Sequence, residues 1–550
     1  MAPRPESAPL TRDIVADPAG PVQPQLPPAA PSGLLSAVTV SATRCLSQAL
    51  ILFLGVLSAA YFGAGMAKDC YVIAQAIPSI LGAILVGGLY NLLVVGLAET
   101  GPRLGVNGQL RLIRQTLAWL GCVLIPMILL AIAFPRLWIA LIAPGFDPDR
   151  LDLSARLLPW TMFAMAGTVL FAVFRALYNT HHRFAVPGFV NLLVGATSLA
   201  TLVLLVGRAG IFALALGPVL GTLLAVAVLG AAAPRLLKDT QGFVPRTDEA
   251  AADRGSIRWR DFVPMTVGAN FGQVNLLVDN SFASFLPAGT ITRFGFASVI
   301  IASAELLTIF SLAEVAFPRF SAAAHRGAEA LAEELRLYLR FMLLITAPIG
   351  SGCLAFGAPL ARLLFERGEF DPESTAAVGR ILACFSPEVL FMGYFAVFWR
   401  FLLAKRRMSA IVWTSLGAMA LNGVLNALLI KPFGISGIAL STSGVTMVFA
   451  LVLGYLVHRE GMTILAPGES MFILRVLAGA AFMGLVVFAG SSWFERTFDM
   501  QTESARLAEV GGGLALGGLV YALSLLLLGI REVPDALGRL ARTMAAWTRG

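Results

Sequence analysis

The chain has 550 residues, of which 57% are hydrophobic and 13% charged, with a mean hydropathy of +0.81. Soluble domains carry roughly 25% charged residues, so this composition excludes a water-soluble enzyme, a disordered chain and a disulfide scaffold. The net charge of +8 comes from basic residues spread over short loops without interleaved aromatics; it reads as membrane orientation, and no nucleic-acid partner is expected.

Residues 1–33 are rich in proline and alanine and have no apolar period, which predicts a disordered cytoplasmic tail. Beyond it, apolar stretches of roughly 20 residues, long enough to cross a bilayer core, recur fourteen times. Six of them, near 34–62, 67–97, 113–141, 152–179, 185–207 and 209–233, make an N-lobe over 34–233. A charged stretch at 234–260 reads as a cytoplasmic linker. Six more, near 261–286, 291–319, 338–365, 374–403, 409–430 and 434–457, make a C-lobe over 261–460. Two further spans, near 471–493 and 507–530, occupy 461–530, and 531–550 reads as a basic amphipathic cytoplasmic tail. An even number of spans with both termini inside puts most loop arginines and lysines on the cytoplasmic face, as the positive-inside rule requires.

An internal repeat orders these spans. Phe146-Asp147-Pro148-Asp149 returns as Phe370-Asp371-Pro372-Glu373, an offset of 224 residues from Asp147 to Asp371. The same offset takes Ala64-Gly65 to Ala288-Gly289, Pro135 to Pro359, Arg156 to Arg380 and Arg183 to Arg407. It equals six spans, an even number, so both copies have the same orientation. The expected fold is an all-α polytopic membrane protein: fourteen transmembrane helices in two parallel, pseudo-symmetric six-helix lobes, plus two C-terminal helices. A site between such lobes is a recurring transporter design.

No GxxxxGK[ST], GxSxG or HExxH pattern is present, so ATP-driven and hydrolytic chemistry are not expected and the protein reads as a transporter without a cofactor. The five cysteines stand singly and the four histidines make no metal spacing with them. Charges inside spans are the functional candidates, because each is costly in lipid. Arg44 lies in span 1, either meeting an anionic headgroup or snorkelling to the interface. Glu305 and Glu314 lie in span 8, Glu314 nearer the cytoplasmic end, and Glu388 in span 10. Asn422 and Asn426, four apart in span 11, share one helix face. With Asp279 of span 7 and Thr442 of span 12 they supply hard oxygen donors for a small cation such as sodium; interhelical hydrogen bonding is the alternative.

Phe62-Gly63-Ala64-Gly65-Met66 with Asp69, Ala143-Pro144-Gly145-Phe146, Asn179-Thr180 with Arg183-Phe184 and Pro187, Phe282-Ala283-Ser284-Phe285-Leu286 with Gly289, Pro318, and Leu364-Phe365-Glu366-Arg367-Gly368-Glu369-Phe370 together resemble the MurJ (MviN) lipid II flippases of the multidrug/oligosaccharidyl-lipid/polysaccharide exporter superfamily. The resemblance runs from about residue 40 to 460. It implies outward movement of an undecaprenyl-pyrophosphate-linked saccharide by alternating access. It also implies a sodium site at Asp279, Asn422 and Thr442, with Asn426 where an aspartate is often found. The chain departs from the family where cavity arginines are usual: Gln48, Leu54 and Gly55 in span 1, Gly82-Ala83 and Gly87 in span 2, and Ser298-Val299 in span 8. Arg44, one turn before Gln48, is the expected partial substitute.

The expected function is therefore a flippase for a lipid II-like peptidoglycan precursor or an exopolysaccharide unit, in the bacterial cytoplasmic (inner) membrane. Arg44, Gln48, Asp69 and Glu305 are the expected substrate-cavity residues, and sodium or the membrane potential is the expected coupling source. Expected partners are the lipid-linked saccharide, membrane lipids and cell-wall or polysaccharide synthesis machinery, with the protein itself a monomer. An ion-coupled exporter of small amphiphiles and a non-transporting membrane scaffold are the alternatives.

Overall fold

The computed structural model describes residues 31–239 and 271–530, except 406, 465 and 466. The expected tails at 1–30 and 531–550, most of the linker and the start of the seventh span lie outside the described residues. Among the described residues all regular structure is helical. The N-lobe contains α1 (Pro31–Phe62), α2 (Met66–Ala133), the short α3 (Pro135–Ile142), α4 (Pro148–Thr180), α5 (Ala185–Ala209) and α6 (Phe212–Asp239). The C-lobe contains α7 (Phe271–Ala283), α8 (Thr290–Glu305), α9 (Ser311–Arg326), α10 (Ala328–Phe365), α11 (Pro372–Ala404), α12 (Met408–Phe433) and α13 (Ile435–Arg459). The final pair is α14 (Glu469–Thr497) and α15 (Glu503–Leu527).

Among the described residues thirteen helical segments are long and apolar enough to cross a membrane. The described part of the seventh expected span is the 13-residue α7, which is too short to be counted among them. Spans 2 and 3 are two helical segments of α2, Met66–Gly101 and Leu104–Ala133, separated by a kink; the connection expected at 98–112 is shorter than predicted, because most of it is helical. Its polar residues Glu99, Gln109 and Arg111 are competent helix formers, and only Gly105, at φ 61° and ψ −159°, leaves the helical region. Gln109 Nε2 then donates to the Leu97 carbonyl at 3.1 Å, tying the two segments together across the kink.

Repeat-related aspartates start equivalent helices. Asp147 accepts from the Arg150 N–H at 2.9 Å to cap α4, and Asp371 accepts from the Ser374 N–H at 2.7 Å to cap α11. Both helices then begin with proline at a position whose missing N–H costs nothing. Within the N-lobe, α4 packs on α2 and α6, and α5 on α1 and α6; within the C-lobe, α11 packs on α10 and α13.

The last two helices are more than an appendix. They lie along α10, held by Arg340–Glu469 (2.8 Å), Arg362–Glu495 (2.6 Å) and Arg506–Glu366 (3.1 Å). Large apolar side chains such as Leu204, Trp413 and Leu527 point outward at 75%, 73% and 88% exposure, the inverse of a soluble protein and suited to lipid contact.

Candidate functional site

The lobes meet at both ends of the bundle, by different means. At one end the contact is a seam in which backbone N–H groups of each lobe donate to the other. The Glu369 N–H donates to the Ala60 carbonyl at 3.0 Å, and the Gly145 N–H donates to Ser284 Oγ at 3.0 Å. The 224-residue offset converts one bond into the other: Gly145 becomes Glu369, and Ala60 becomes Ser284. Gly63, at φ +57°, and Gly368, at φ +59°, let the chains approach this closely; a Cβ on Gly63 would meet the Glu369 carbonyl oxygen, and one on Gly368 that of Ala60.

Asp69 lies in this seam. It is fully buried and accepts from the Gly289 N–H (2.6 Å), the Thr292 N–H (2.7 Å) and Thr292 Oγ1 (2.6 Å). A carboxylate of one lobe thus satisfies orphan donors at the first turn of α8 in the other and meets the positive end of its dipole. Asp69 was expected in the substrate cavity. The structure places it instead between the lobes, because its position at the start of α2 aims it at the first turn of α8 rather than into open space.

At the opposite end the lobes are joined by side chains. Gln48 Nε2 donates to Ser303 Oγ at 2.7 Å, and Arg44 pairs with Glu314 at 3.2 Å. The latter side chains are 64% and 53% exposed, so the pair holds the lobes only weakly. Arg44 and Gln48, one turn apart, therefore lie together on the α1 face directed at α8 and α9. A residue that sequence reasoning did not single out stands near them. Arg175 of α4 stacks its guanidinium over the Tyr90 ring at 4.6 Å, and its Nε is buried without a hydrogen-bond partner. The Arg44 charge acts on it, and Asn179 Nδ2 holds the Tyr90 hydroxyl at 2.8 Å. Its sequence signal was the one Arg44 carried, a charge inside an apolar span.

The expected ion ligands also come together, in the C-lobe. Asp279 of α7 is buried; its Oδ1 accepts from Asn422 Nδ2 at 2.9 Å and Asn426 Nδ2 at 2.7 Å, and its Oδ2 lies 3.3 Å from Thr442 Oγ1. Ser441, which sequence reasoning missed, donates to Asn422 Oδ1 at 3.0 Å and fixes that amide. Asp279 has no cationic partner among the described residues, and Asn426 Oδ1 is buried without a partner. A buried carboxylate that is hydrogen-bonded but without a cation among the described residues, beside an unused carbonyl oxygen, fits a small alkali cation.

Glu305, the fourth expected cavity residue, is elsewhere than Arg44 and Gln48. It lines a cavity of about 670 Å³ bounded by C-lobe helices, together with Asp279, Glu388 and several aromatic rings. Glu314 is outside this cavity, in the pair with Arg44.

Two helical lobes related by an internal repeat, joined by an end seam and carrying buried ionisable groups, define a polytopic transporter rather than an enzyme. Residues 58–509 match the family model "Lipid II flippase MurJ", and the chain belongs to that family. A relative from Vibrio cholerae, named "Probable lipid II flippase MurJ", is 25% identical over 524 residues, covering 90% of this chain and 96% of the relative. The "Lipid II flippase MurJ" of Burkholderia cenocepacia is 23% identical over 512 residues, covering 90% and 97%. Among solved structures, a lipid II flippase MurJ in an inward closed conformation superposes with a TM-score of 0.72 at 20% identity, covering 90% of this chain and 99% of its own. An inward-facing multidrug resistance MATE family transporter superposes with a TM-score of 0.59 at 14% identity, covering 77% and 97%. Both structural likenesses concern the fold.

Proposed function

We propose that the protein flips a polyprenyl-pyrophosphate-linked saccharide from the cytoplasmic to the outer leaflet of the bacterial inner membrane by alternating access. The seam end faces the outside in this reading, and the Arg44 end and both termini face the cytoplasm. The observation that carries it is the asymmetry of the two ends. The outer end is closed by two backbone N–H groups that donate across the boundary, by Arg150 reaching the Leu286 carbonyl at 3.3 Å, and by a buried aspartate. The inner end is held by one hydrogen bond and one exposed ion pair, so a headgroup entering from the cytoplasm can displace Arg44 from Glu314.

Arg44 and Arg175 are the cations offered to the pyrophosphate. Arginine suits this role because its planar fork binds phosphate oxygens in pairs and stays charged. Among the described residues Arg175 has no carboxylate partner, so its charge is available to a ligand, and the Tyr90 ring presets its orientation. Gln48, a neutral donor already bonded to Ser303, is suited to positioning the α1–α8 contact rather than to binding charge. The usual cavity arginines being absent, these two groups would set the headgroup preference, and an exopolysaccharide precursor is as compatible with them as a peptidoglycan one.

Sodium entering from outside would be held by Asp279, Asn426 Oδ1 and Thr442, and supplies a charge that neutralises the buried carboxylate. Asn422, fixed by Ser441, holds Asp279 in place. Because Asp279, Asn422 and Thr442 come from α7, α12 and α13, neutralisation couples three helices of one lobe. The membrane potential adds a driving force of about 2.3 kcal/mol per charge per 100 mV to any net charge moved.

The deciding experiment is reconstitution in liposomes with fluorescent lipid II and with a fluorescent polyprenyl-pyrophosphate disaccharide. Translocation of at least one, lost on Arg175→Ala, is expected. Absence of translocation of either carrier by the parent protein overturns the proposal.

A further inference from the structure

We propose that the C-lobe cavity is a second ligand site, taking a monovalent organic cation that carries N–H donors on an aromatic or otherwise apolar body. This inference does not rest on the lipid-flipping route between the lobes. The cavity, of about 670 Å³, falls within the roughly 300–1,000 Å³ typical of small-molecule sites. Three carboxylates line it: Asp279, Glu305 and Glu388. Asp279 is engaged by two asparagine amides, but the glutamates are not so served. Both are buried, at 7% and 8% exposure. Among the described residues Glu305 Oε1 has no hydrogen-bond partner and Glu388 has no cationic partner. Asn275, which also lines the cavity, leaves its buried Oδ1 without a partner as well. Unused acceptors therefore converge on this space, and what they lack is a donor bearing positive charge.

The rest of the lining specifies the ligand's body. Phe294, Phe385, Phe395, Trp399 and Phe449 present aromatic surface, which attracts a cation over the ring face and packs against apolar atoms. A pyrophosphate would be repelled by the carboxylates, and a free saccharide would meet too few polar groups. A multivalent metal is also disfavoured, since the described residues hold no cluster of three or more His, Cys, Asp or Glu side chains placed for one. Arg400, the one cation among the described lining residues, is twelve residues along α11 from Glu388, roughly 18 Å at 1.5 Å per residue, and so stands at the far end of the cavity.

The backbone beside Glu305 is special too. Immediately after it the helix widens into a π turn, Leu306–Phe310, before α9 resumes. Such turns interrupt the regular ladder and recur at functional sites. Here the turn carries Phe310, and α9 carries Ala313, both into the cavity wall. Glu305 and the cavity wall are thus set by one deformable segment.

The test uses the purified full-length protein in detergent, with ethidium as the cationic probe and fluorescein as an anionic one of comparable size. Saturable ethidium binding by fluorescence anisotropy, displaced by tetraphenylphosphonium, is expected, and fluorescein should not bind. Glu305→Gln and Glu388→Gln, which keep side-chain volume, should each weaken ethidium binding roughly tenfold or more, because each removes a buried charge partner. Trp413→Ala, on the lipid-facing surface, should bind like the parent. Ethidium uptake that is equal in the parent and the Glu305→Gln/Glu388→Gln double variant marks partition into detergent and overturns the inference. So does fluorescein binding as well as ethidium, a readout on the parent alone that holds even where a variant does not fold. Lipid translocation is measured in a separate assay, so failure of either reading is recognised on its own.

Discussion

The Glu369 amide reaches the Ala60 carbonyl across the lobe boundary at 3.0 Å, and the internal repeat reproduces this contact between Gly145 and Ser284 at the same distance. Closure of this end is thus written twice in the chain, once in each direction. On the proposed alternating-access route, an opening motion would have to break both contacts and the Asp69 cap together, so the seam would act as an all-or-none gate.

Gly368→Ala should open the gate. The new Cβ meets the Ala60 carbonyl oxygen, and φ of +59° adds strain of about 1–2 kcal/mol for a residue with a side chain. Cys70, fully buried beside the seam with its thiol 3.4 Å from the Arg150 carbonyl, is a native reporter. Its modification by a polar thiol reagent, followed by peptide mass spectrometry, should rise severalfold in the variant. Unchanged protection of Cys70 would show that the glycine is not required for closure.

Asp69→Ala should have the same effect by a different route. It strands two buried N–H groups and one hydroxyl, each hydrogen bond to a charged acceptor being worth about 1.5–3 kcal/mol. Asp69→Asn keeps an acceptor oxygen but loses the charge, so its Cys70 labelling should fall between the parent and the alanine variant. An asparagine variant labelled as fully as the alanine one would point to charge alone as the holding force.

Exchanging the charges of the exposed pair separates latching from transport. Glu314→Gln should change thermal stability by no more than about 1 kcal/mol, the usual worth of an exposed ion pair. The Arg44→Glu/Glu314→Arg double variant restores the pair but moves the cation to the other lobe. It should fold like the parent and translocate pyrophosphate-linked lipid at least tenfold more slowly. Full transport by the double variant would remove Arg44 from headgroup binding.

Sodium should stabilise the parent and not Asp279→Asn. At ten times its dissociation constant a single bound ion adds about 1.4 kcal/mol. Thermal unfolding in sodium, compared with choline at equal ionic strength, reads this directly. An Asp279→Asn variant that gains as much from sodium as the parent would falsify the ion site.

Acid should loosen the paired helix caps. The Arg150 hydrogen bonds, backbone first, hold the Asp147 carboxyl below its ordinary value, and those from Ser374 do the same for Asp371. A depressed carboxylate contributes stability above its unfolded value of about 3.9, and that contribution is lost as pH falls through the lower folded value. Unfolding temperature should therefore be insensitive to these groups between pH 5 and 8 and drop below about pH 4. The drop should be smaller in the Asp147→Asn/Asp371→Asn double variant, whose caps no longer titrate.

The sequence by itself determined the membrane class, the all-helical two-lobe repeat and the sharing of one helix face by Asn422 and Asn426. These follow from hydropathy, charge placement and the 3.6-residue period, all of which act over short stretches of chain. It made the connection between spans 2 and 3 too long, because polar residues there stay helical up to the kink at Gly105. Tertiary structure alone decided that Asp69 closes a seam rather than lining a cavity, that Arg175 stacks on Tyr90, and that Glu305 faces Glu388 instead of Arg44. The reason is geometric: the cost of a charge in a span can be read locally, but its partner depends on the depth and rotation at which distant helices pack.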